Sequence, residues 1–559
     1  MVSAFLVPLL LQAVLLLNVQ AAPLDIEALR IPKVDPKKIL CQLPLLERYL
    51  CPDGGLNSLS RITVLGTASG VLDPEGAHRY PVRYAKSNRW ALSNLATSWE
   101  LPNGSNNVSA LPLACPQPDV SSSAYSEDCL SMVLYVPPSL TLASQAPVLV
   151  WIHGGSFVVG SATATGLDGS KLALATNSIV AVVQYRLGAL GFLAPNGNTN
   201  LGVKDVINAL EFIKKVAPSF GGSSSKVTIA GQSSGATMIR ALLAAPSASS
   251  LFRSSILQSD PINYGHLRPA TNTLLLNKFK EKVGCSSAAC QAGLALGDIL
   301  SAQNYVFNNA ALGDNFAPAA GSAQPIRPVI DGSFITTPLD TTASFPSTSK
   351  PILVTTVQHE AASMIYGSFP ALPEEAFAPI CAMTFGDART ETVVGSPYYQ
   401  PSPSSVVNGQ IDARAQLQVV GTDYLWKCSG WTFSRAWVQA GGNAFVGQYV
   451  VGASYPGNDR VSICTQPNVI CHQDDIQIVF GTVENPSSAQ SALISEMQQR
   501  YKAFLTNGNP NAGGLATWAP ATTSDVHSLR LGGTGEVSAG ACDPGFWGSS
   551  VEYDYQFYN

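Results

Sequence analysis

The sequence predicts an α/β protein with a central, mostly parallel sheet flanked by helices. Three observations carry that prediction. Short β-branched runs alternate with helically periodic segments across residues 147–258, the first run and the helix that follows stop at glycine pairs, and the 559 residues contain no internal repeat or linker that would divide them. One large domain over residues 22–559, with loop and helical insertions, is therefore expected in place of several domains of about 150 residues.

The first two runs are Val148-Leu149-Val150-Trp151-Ile152, ended by Gly154-Gly155, and Ile179-Val180-Ala181-Val182-Val183. Continuous apolar runs of this length suit strands buried on both faces. From Lys204 to Phe220 apolar side chains recur at Val206, Ile207, Leu210, Ile213 and Val216, the spacing of one helix face, until Gly221-Gly222 stops it. Val227-Thr228-Ile229-Ala230 reads as the next strand, residues 236–245 as a helix and Ile256-Leu257 as a further strand. This rhythm makes neighbouring strands parallel. Residues 351–357 and 444–451 add two strands, and the Ala-, Pro-, Ser- and Thr-rich stretch 310–350 reads as a loop-rich insertion.

Charged residues make up 12% and hydrophobic residues 46%, which supports a sizeable core and excludes a disordered chain. With 32 Lys+Arg against 37 Asp+Glu and no basic block, nucleic acid and anionic membranes are poor partners. Residues 4–17 form a mostly apolar stretch too short to span a bilayer, and Val19-Gln20-Ala21 supplies a small-x-small cleavage pattern. A signal peptide over 1–21 and a secreted, extracellular product without a transmembrane anchor are expected. Eleven cysteines in an exported chain imply disulfides and at least one leftover thiol. The close spacings of Cys41 with Cys51, Cys115 with Cys129, Cys285 with Cys290 and Cys464 with Cys471 suggest small staples, leaving Cys381, Cys428 and Cys542. No CxxC or His-x-x-x-His pattern accompanies them, so no metal site is expected. Sequons at Asn103 and Asn107 mark a surface loop if glycosylated.

Chemistry concentrates in Gly231-Gln232-Ser233-Ser234-Gly235, which lies between a predicted strand and a predicted helix. A serine on so tight a turn needs very small residues two before and two after it. The following helix would aim its N-terminal N–H groups at developing negative charge. An ordinary glycine turn gives the same pattern, and Ser234 is a rival nucleophile, but only Ser233 is centred between the glycines. His153-Gly154-Gly155-Ser156-Phe157 follows another strand directly. Its paired glycines allow the N–H groups of Gly154 and Gly155 to converge with that of Ser234 as oxyanion donors.

These segments, with Ser126-Glu127-Asp128-Cys129-Leu130, Tyr185-Arg186-Leu187-Gly188, Asn200-Leu201-Gly202-Val203-Lys204-Asp205 and Ile256-Leu257-Gln258-Ser259, resemble the type-B carboxylesterases. That family includes fungal lipases, liver carboxylesterases and cholinesterases. The resemblance spans roughly residues 60–550 and is poor over 284–350. It implies an α/β-hydrolase fold and a Ser–Glu–His triad. The acid would be Glu360, with Ala361 where the family usually has glycine. The base would be His472, ahead of Val479-Phe480-Gly481; the other five histidines, at 78, 153, 266, 359 and 527, lie in no family motif for a base. Ser259 resembles a residue that hydrogen-bonds the acid, although a strand-end serine fits it nearly as well. The resemblance also implies Cys115–Cys129 and Cys428–Cys542 bridges, which leaves Cys381 as the free thiol. Cys464–Cys471, if formed, would brace the loop that carries His472. Acyl transfer through a serine requires no metal or organic cofactor.

The family pattern also bears on substrate. The Cys115–Cys129 loop is short, which argues against a large interfacial flap. It holds no Trp, and Gln232 replaces the Glu of cholinesterases, so a quaternary ammonium would find neither aromatic face nor charge. Hydrolysis of uncharged small-molecule or lipid esters is the expectation. A lipase or sterol esterase acting on long-chain lipid esters is the alternative, and a non-catalytic adhesion-type relative is disfavoured by the joint presence of Ser233, Glu360 and His472.

Overall fold

The computed structural model describes residues 59–547 except 286, 312, 341 and 342. The expected signal peptide lies outside the described residues. Cys41 and Cys51, expected to form a small staple, also lie outside them, so that pairing stays an expectation of the sequence. Ten strands build the central sheet: β1 (Val71–Leu72), β2 (His78–Arg83), β3 (Ser131–Val136), β4 (Ala146–Ile152), β5 (Ile179–Val183), β6 (Gly222–Gln232), β7 (Ser254–Gln258), β8 (Pro351–Val357), β9 (Asn443–Tyr449) and β10 (Leu529–Leu531). Their spatial order is β10-β9-β8-β7-β6-β4-β5-β3-β2-β1. All neighbours from β5 through β10 run parallel, while β1, β2 and β3 join one another and β5 antiparallel.

Successive side chains of a strand point to opposite faces, so one buried strand feeds two cores. Val148, Val150 and Ile152 of β4 join Leu210 and Phe212 of helix α1 (Leu201–Val216) and Ile239 and Leu242 of α2 (Ser234–Leu243). Leu149 and Trp151 join Met497, Tyr501 and Phe504 of α3 (Ser488–Asn507) on the other side. Trp151 meets Phe480 edge-on at 4.9 Å, a geometry worth about 0.5–1.5 kcal/mol beyond simple burial.

The helix expected over 204–220 starts at Leu201 and tightens into a 3₁₀ turn at Ala217–Phe220, where Pro218 interrupts α-helical hydrogen bonding. Of the antiparallel strands, β3 carries a continuous apolar run over 132–136 that the sequence expectations passed over, whereas β2 has none. Strand β2 reads His-Arg-Tyr-Pro-Val-Arg, and its buried Arg83 is neutralised by Asp128 at 2.5 Å and by Glu100. Among the described residues four disulfides are present: Cys115–Cys129, Cys285–Cys290, Cys428–Cys542 and Cys464–Cys471. Cys381 is a buried free thiol. Asn103 and Asn107 are exposed.

Candidate active site

Strands β4, β6, β7 and β8 end along one edge of the sheet, where ligands of open α/β sheets bind. Ser233 sits between β6 and α2 with φ 58° and ψ −126°, a conformation that costs a non-glycine residue on the order of 1–3 kcal/mol. The turn is held because the Ser233 N–H donates to Gln258 O at 2.9 Å and Ser233 O accepts from Ala236 and Thr237. Neither flanking glycine has room for a side chain. A Cβ on Gly231 would lie 2.7 Å from Ile152 O, and one on Gly235 would lie 2.1 Å from the same oxygen. Helix α2 is tied down further along by Arg240 and Thr237, which both bond the buried carboxylate of Asp260.

The turn after β4 packs directly against this serine. A Cβ on Gly154 would lie 3.1 Å from Ser233 Cβ, and Gly155, Ser156 and Phe157 all take positive φ, at 115°, 52° and 64°. Among the described residues the N–H groups of Gly154, Gly155 and Ser234 donate no hydrogen bond. That of Phe157 donates to Ser234 Oγ at 3.3 Å. Ser156, in the middle of the left-handed run, presents a further candidate donor that the glycine pair alone did not mark. His153 stacks on Tyr185 with ring centres 4.7 Å apart, and burial lowers its pKa to about 4, so it is a neutral part of the scaffold.

Glu360 follows β8 and is fully buried. Its Oε1 accepts the Val357 N–H at 2.8 Å, and its Oε2 lies 2.5 Å from His472 Nδ1. Ala361 fits where the family has glycine because Gly421 faces it: a Cβ there would lie only 2.9 Å from Ala361 Cβ. Ser259 makes no bond to the acid; its buried hydroxyl has no partner among the described residues. His472 follows the Cys464–Cys471 bridge. Its carbonyl accepts from Asn458 at 2.8 Å, and Asp474 accepts from Asn458, Tyr455 and Cys471 to fix the loop. His359, next to Glu360, accepts from the Ile470 N–H at 3.1 Å and so joins the segments that carry Glu360 and His472. His472 Nε2 is paired with the amide of Gln232 at 3.2 Å, not with Ser233 Oγ. Trp426 leans over the imidazole with ring centres 5.5 Å apart. It comes from a π-helical turn, Asp423–Lys427, a form often found at functional sites and one that no sequence pattern had suggested.

A buried carboxylate on one imidazole nitrogen, the amide of the residue before a strained serine on the other and a glycine turn packed against that serine are an arrangement compatible with serine-dependent acyl transfer. Residues 63–543 match the Carboxylesterase family. The chain belongs to that family. Liver carboxylesterase 1 of Mus musculus is 28% identical over 453 residues, covering 77% of this chain and 78% of the relative. The cAMP-regulated D2 protein of Dictyostelium discoideum is 29% identical over 417 residues, covering 73% and 75%. Among solved structures, a PNB esterase superposes with a TM-score of 0.68 at 22% identity, covering 85% of this chain and 96% of the esterase, which places the carboxylesterase in the α/β-hydrolase fold. The enzyme is thus a carboxylic ester hydrolase. Among its described residues, no helix is long and apolar enough to cross a membrane.

Proposed function

We propose that this carboxylesterase cleaves uncharged esters through an acyl-enzyme on Ser233, with His472 as base and Glu360 as the acid that orients it. The observation that carries the reading is the 2.5 Å contact between His472 Nδ1 and the buried Glu360 Oε2. It leaves Nε2 as the basic nitrogen, on the side of the imidazole that meets the nucleophile turn. Ser233 Oγ gives its proton to Nε2 as it attacks the ester carbonyl. The developing oxyanion is held by N–H groups of Gly154, Gly155 and Ser234. The imidazolium then protonates the leaving alcohol, and water repeats the sequence on the acyl-enzyme. Glu360, positioned by the Val357 N–H on its Oε1, stabilises the imidazolium through Oε2.

The substrate class follows from charge. A neutral amide at Gln232, beside the nucleophile, offers a cationic alcohol no counter-charge, and an ammonium entering this buried site would lose hydration worth several kcal/mol. Secretion and a mature chain of one hydrolase domain from residue 22 belong to the same proposal, supported by the disulfides and the exposed sequons. The test compares kcat/KM for butyrylcholine with that for an uncharged butyrate of similar size, at low salt. The proposal expects the neutral ester to be far faster; equal values would mean a cation site elsewhere in the pocket. Extending the panel to tributyrin and cholesteryl esters separates it from a lipid-ester preference.

A further inference from the structure

His472 Nε2 has one lone pair when Nδ1 carries the proton toward Glu360. In the resting carboxylesterase that lone pair faces a donor other than the nucleophile: Gln232 Nε2, 3.2 Å away. Gln232 is fully buried, and its other amide atom, Oε1, has no partner among the described residues. That oxygen is wedged against the oxyanion turn, 3.1 Å from where a Cβ on Gly154 would stand. The amide therefore spans from the base to the glycine turn, and its backbone is fixed because Gln232 is the last residue of β6, in register with Gln258.

We propose that Gln232 is a positioning residue that holds the base in its neutral, Nδ1-protonated tautomer by donating to Nε2, and that it yields this nitrogen to Ser233 Oγ when an ester occupies the site. The inference rests on the triad assignment above. A donor on the Nε2 lone pair stabilises neutral imidazole and is lost when Nε2 takes a proton, so it opposes protonation of the resting enzyme. The other groups facing the ring are Glu360 at Nδ1, the carboxyls of Asp474 and Asp475, which interact electrostatically with it, and the Trp426 ring; His359 lies in the segment bridged to Cys471. None of these donates to Nε2. Gln232 thus resists acid inactivation of the free enzyme, and a carboxylate in its place would do the opposite by accepting from a protonated Nε2.

The test is the pH profile of kcat/KM for p-nitrophenyl butyrate, from about pH 4.5 to 9, in the parent, Gln232→Met and Gln232→Glu enzymes. A fluorophosphonate labelling of Ser233 is read by peptide mass in each. Loss of the amide donor in Gln232→Met should raise the midpoint of the acid limb by about 0.5 to 1 pH unit, the size of one hydrogen bond. Gln232→Glu should raise it further, giving the order parent, Met, Glu. A side chain that merely fills space would change kcat without moving the midpoint. A Gln232→Met midpoint equal to or below that of the parent, with Ser233 still labelled, overturns the inference and leaves the triad standing. Failure of Ser233 to label in the parent overturns both.

Discussion

Gly235→Ala is a one-methyl perturbation whose consequence can be worked from distances. The added Cβ would lie 2.1 Å from Ile152 O, 2.8 Å from His153 O and 3.0 Å from His153 C, whereas ordinary contact begins at 3.4 Å. The deficit is about 1.3 Å, and every obstructing atom is backbone at the end of a central strand. No rotamer change relieves it. Overpacking costs typically 1–3 kcal/mol, and an immovable obstacle puts this site near about 3 kcal/mol. Relief comes from separating α2 from the β4 exit, which also pulls Ser233 from Gly154 and Gly155. A misplacement on the order of 1 Å costs roughly 10²-fold in rate. Urea unfolding and kcat/KM for p-nitrophenyl butyrate measure the two effects. Gly297→Ala, in the helix Leu296–Asn309, serves as control, because a Cβ there meets nothing within 4 Å and that helix should tolerate or favour it. A Gly235→Ala enzyme within about 0.5 kcal/mol and threefold of the parent would refute the packing argument for the elbow.

Three further outcomes are expected. Burial first, and then the charge of Glu360, raises the Asp475 carboxyl to about 7, so the folded state keeps a proton that the unfolded state releases from the ordinary value of 3.8 upward. Stability should therefore fall as pH rises from about 4 to 7 and level off above it, by on the order of 4 kcal/mol for this group; Asp475→Asn, compared with the parent in urea melts at both ends of that window, should make the slope shallower and leave the share of Asp474, whose carboxyl burial raises to about 6. Cys381 is buried and its thiol is pushed up to about 12, so iodoacetamide at pH 8 should leave it unmodified in native protein and alkylate it in urea, as peptide mapping would show. Removing the Cys428–Cys542 bridge, which spans a sequence separation of 114, should cost about 4 to 5 kcal/mol in the chain-entropy account, read from the urea midpoint of the Cys428→Ala, Cys542→Ala double variant.

The parallel half of the sheet was legible because its strands are buried on both faces and therefore read as unbroken apolar runs; Pro351–Val357 is found residue for residue. Antiparallel β2 was not, since its polar residues are neutralised by partners distant in sequence, as Arg83 is by Asp128; β3 carried a legible apolar run over 132–136 that was passed over. The serine turn was legible because its steric demand falls on glycines at fixed offsets. Glu360 and His472 were reached through the family resemblance, because a contact between residues 112 apart leaves no local periodicity. Trp426 and the Gln232 contact lay beyond reach for the same reason: one depends on a π turn created by tertiary packing, the other on a side chain meeting a loop 240 residues away.

The role of Ser233 is the centre of the account, and kcat for p-nitrophenyl butyrate in Ser233→Ala, measured beside Ser234→Ala, tests it most directly. The strained turn accepts alanine about as well as serine, so both variants should fold with the parent's urea midpoint to within about 0.5 kcal/mol. Ser233→Ala should lose kcat by roughly 10⁴-fold or more, while Ser234→Ala, which removes a hydroxyl bonded to the Phe157 N–H and to Tyr185, should keep the acyl-enzyme burst. A folded Ser233→Ala enzyme that turns over at the parent rate, with Ser234→Ala inactive, would contradict the account.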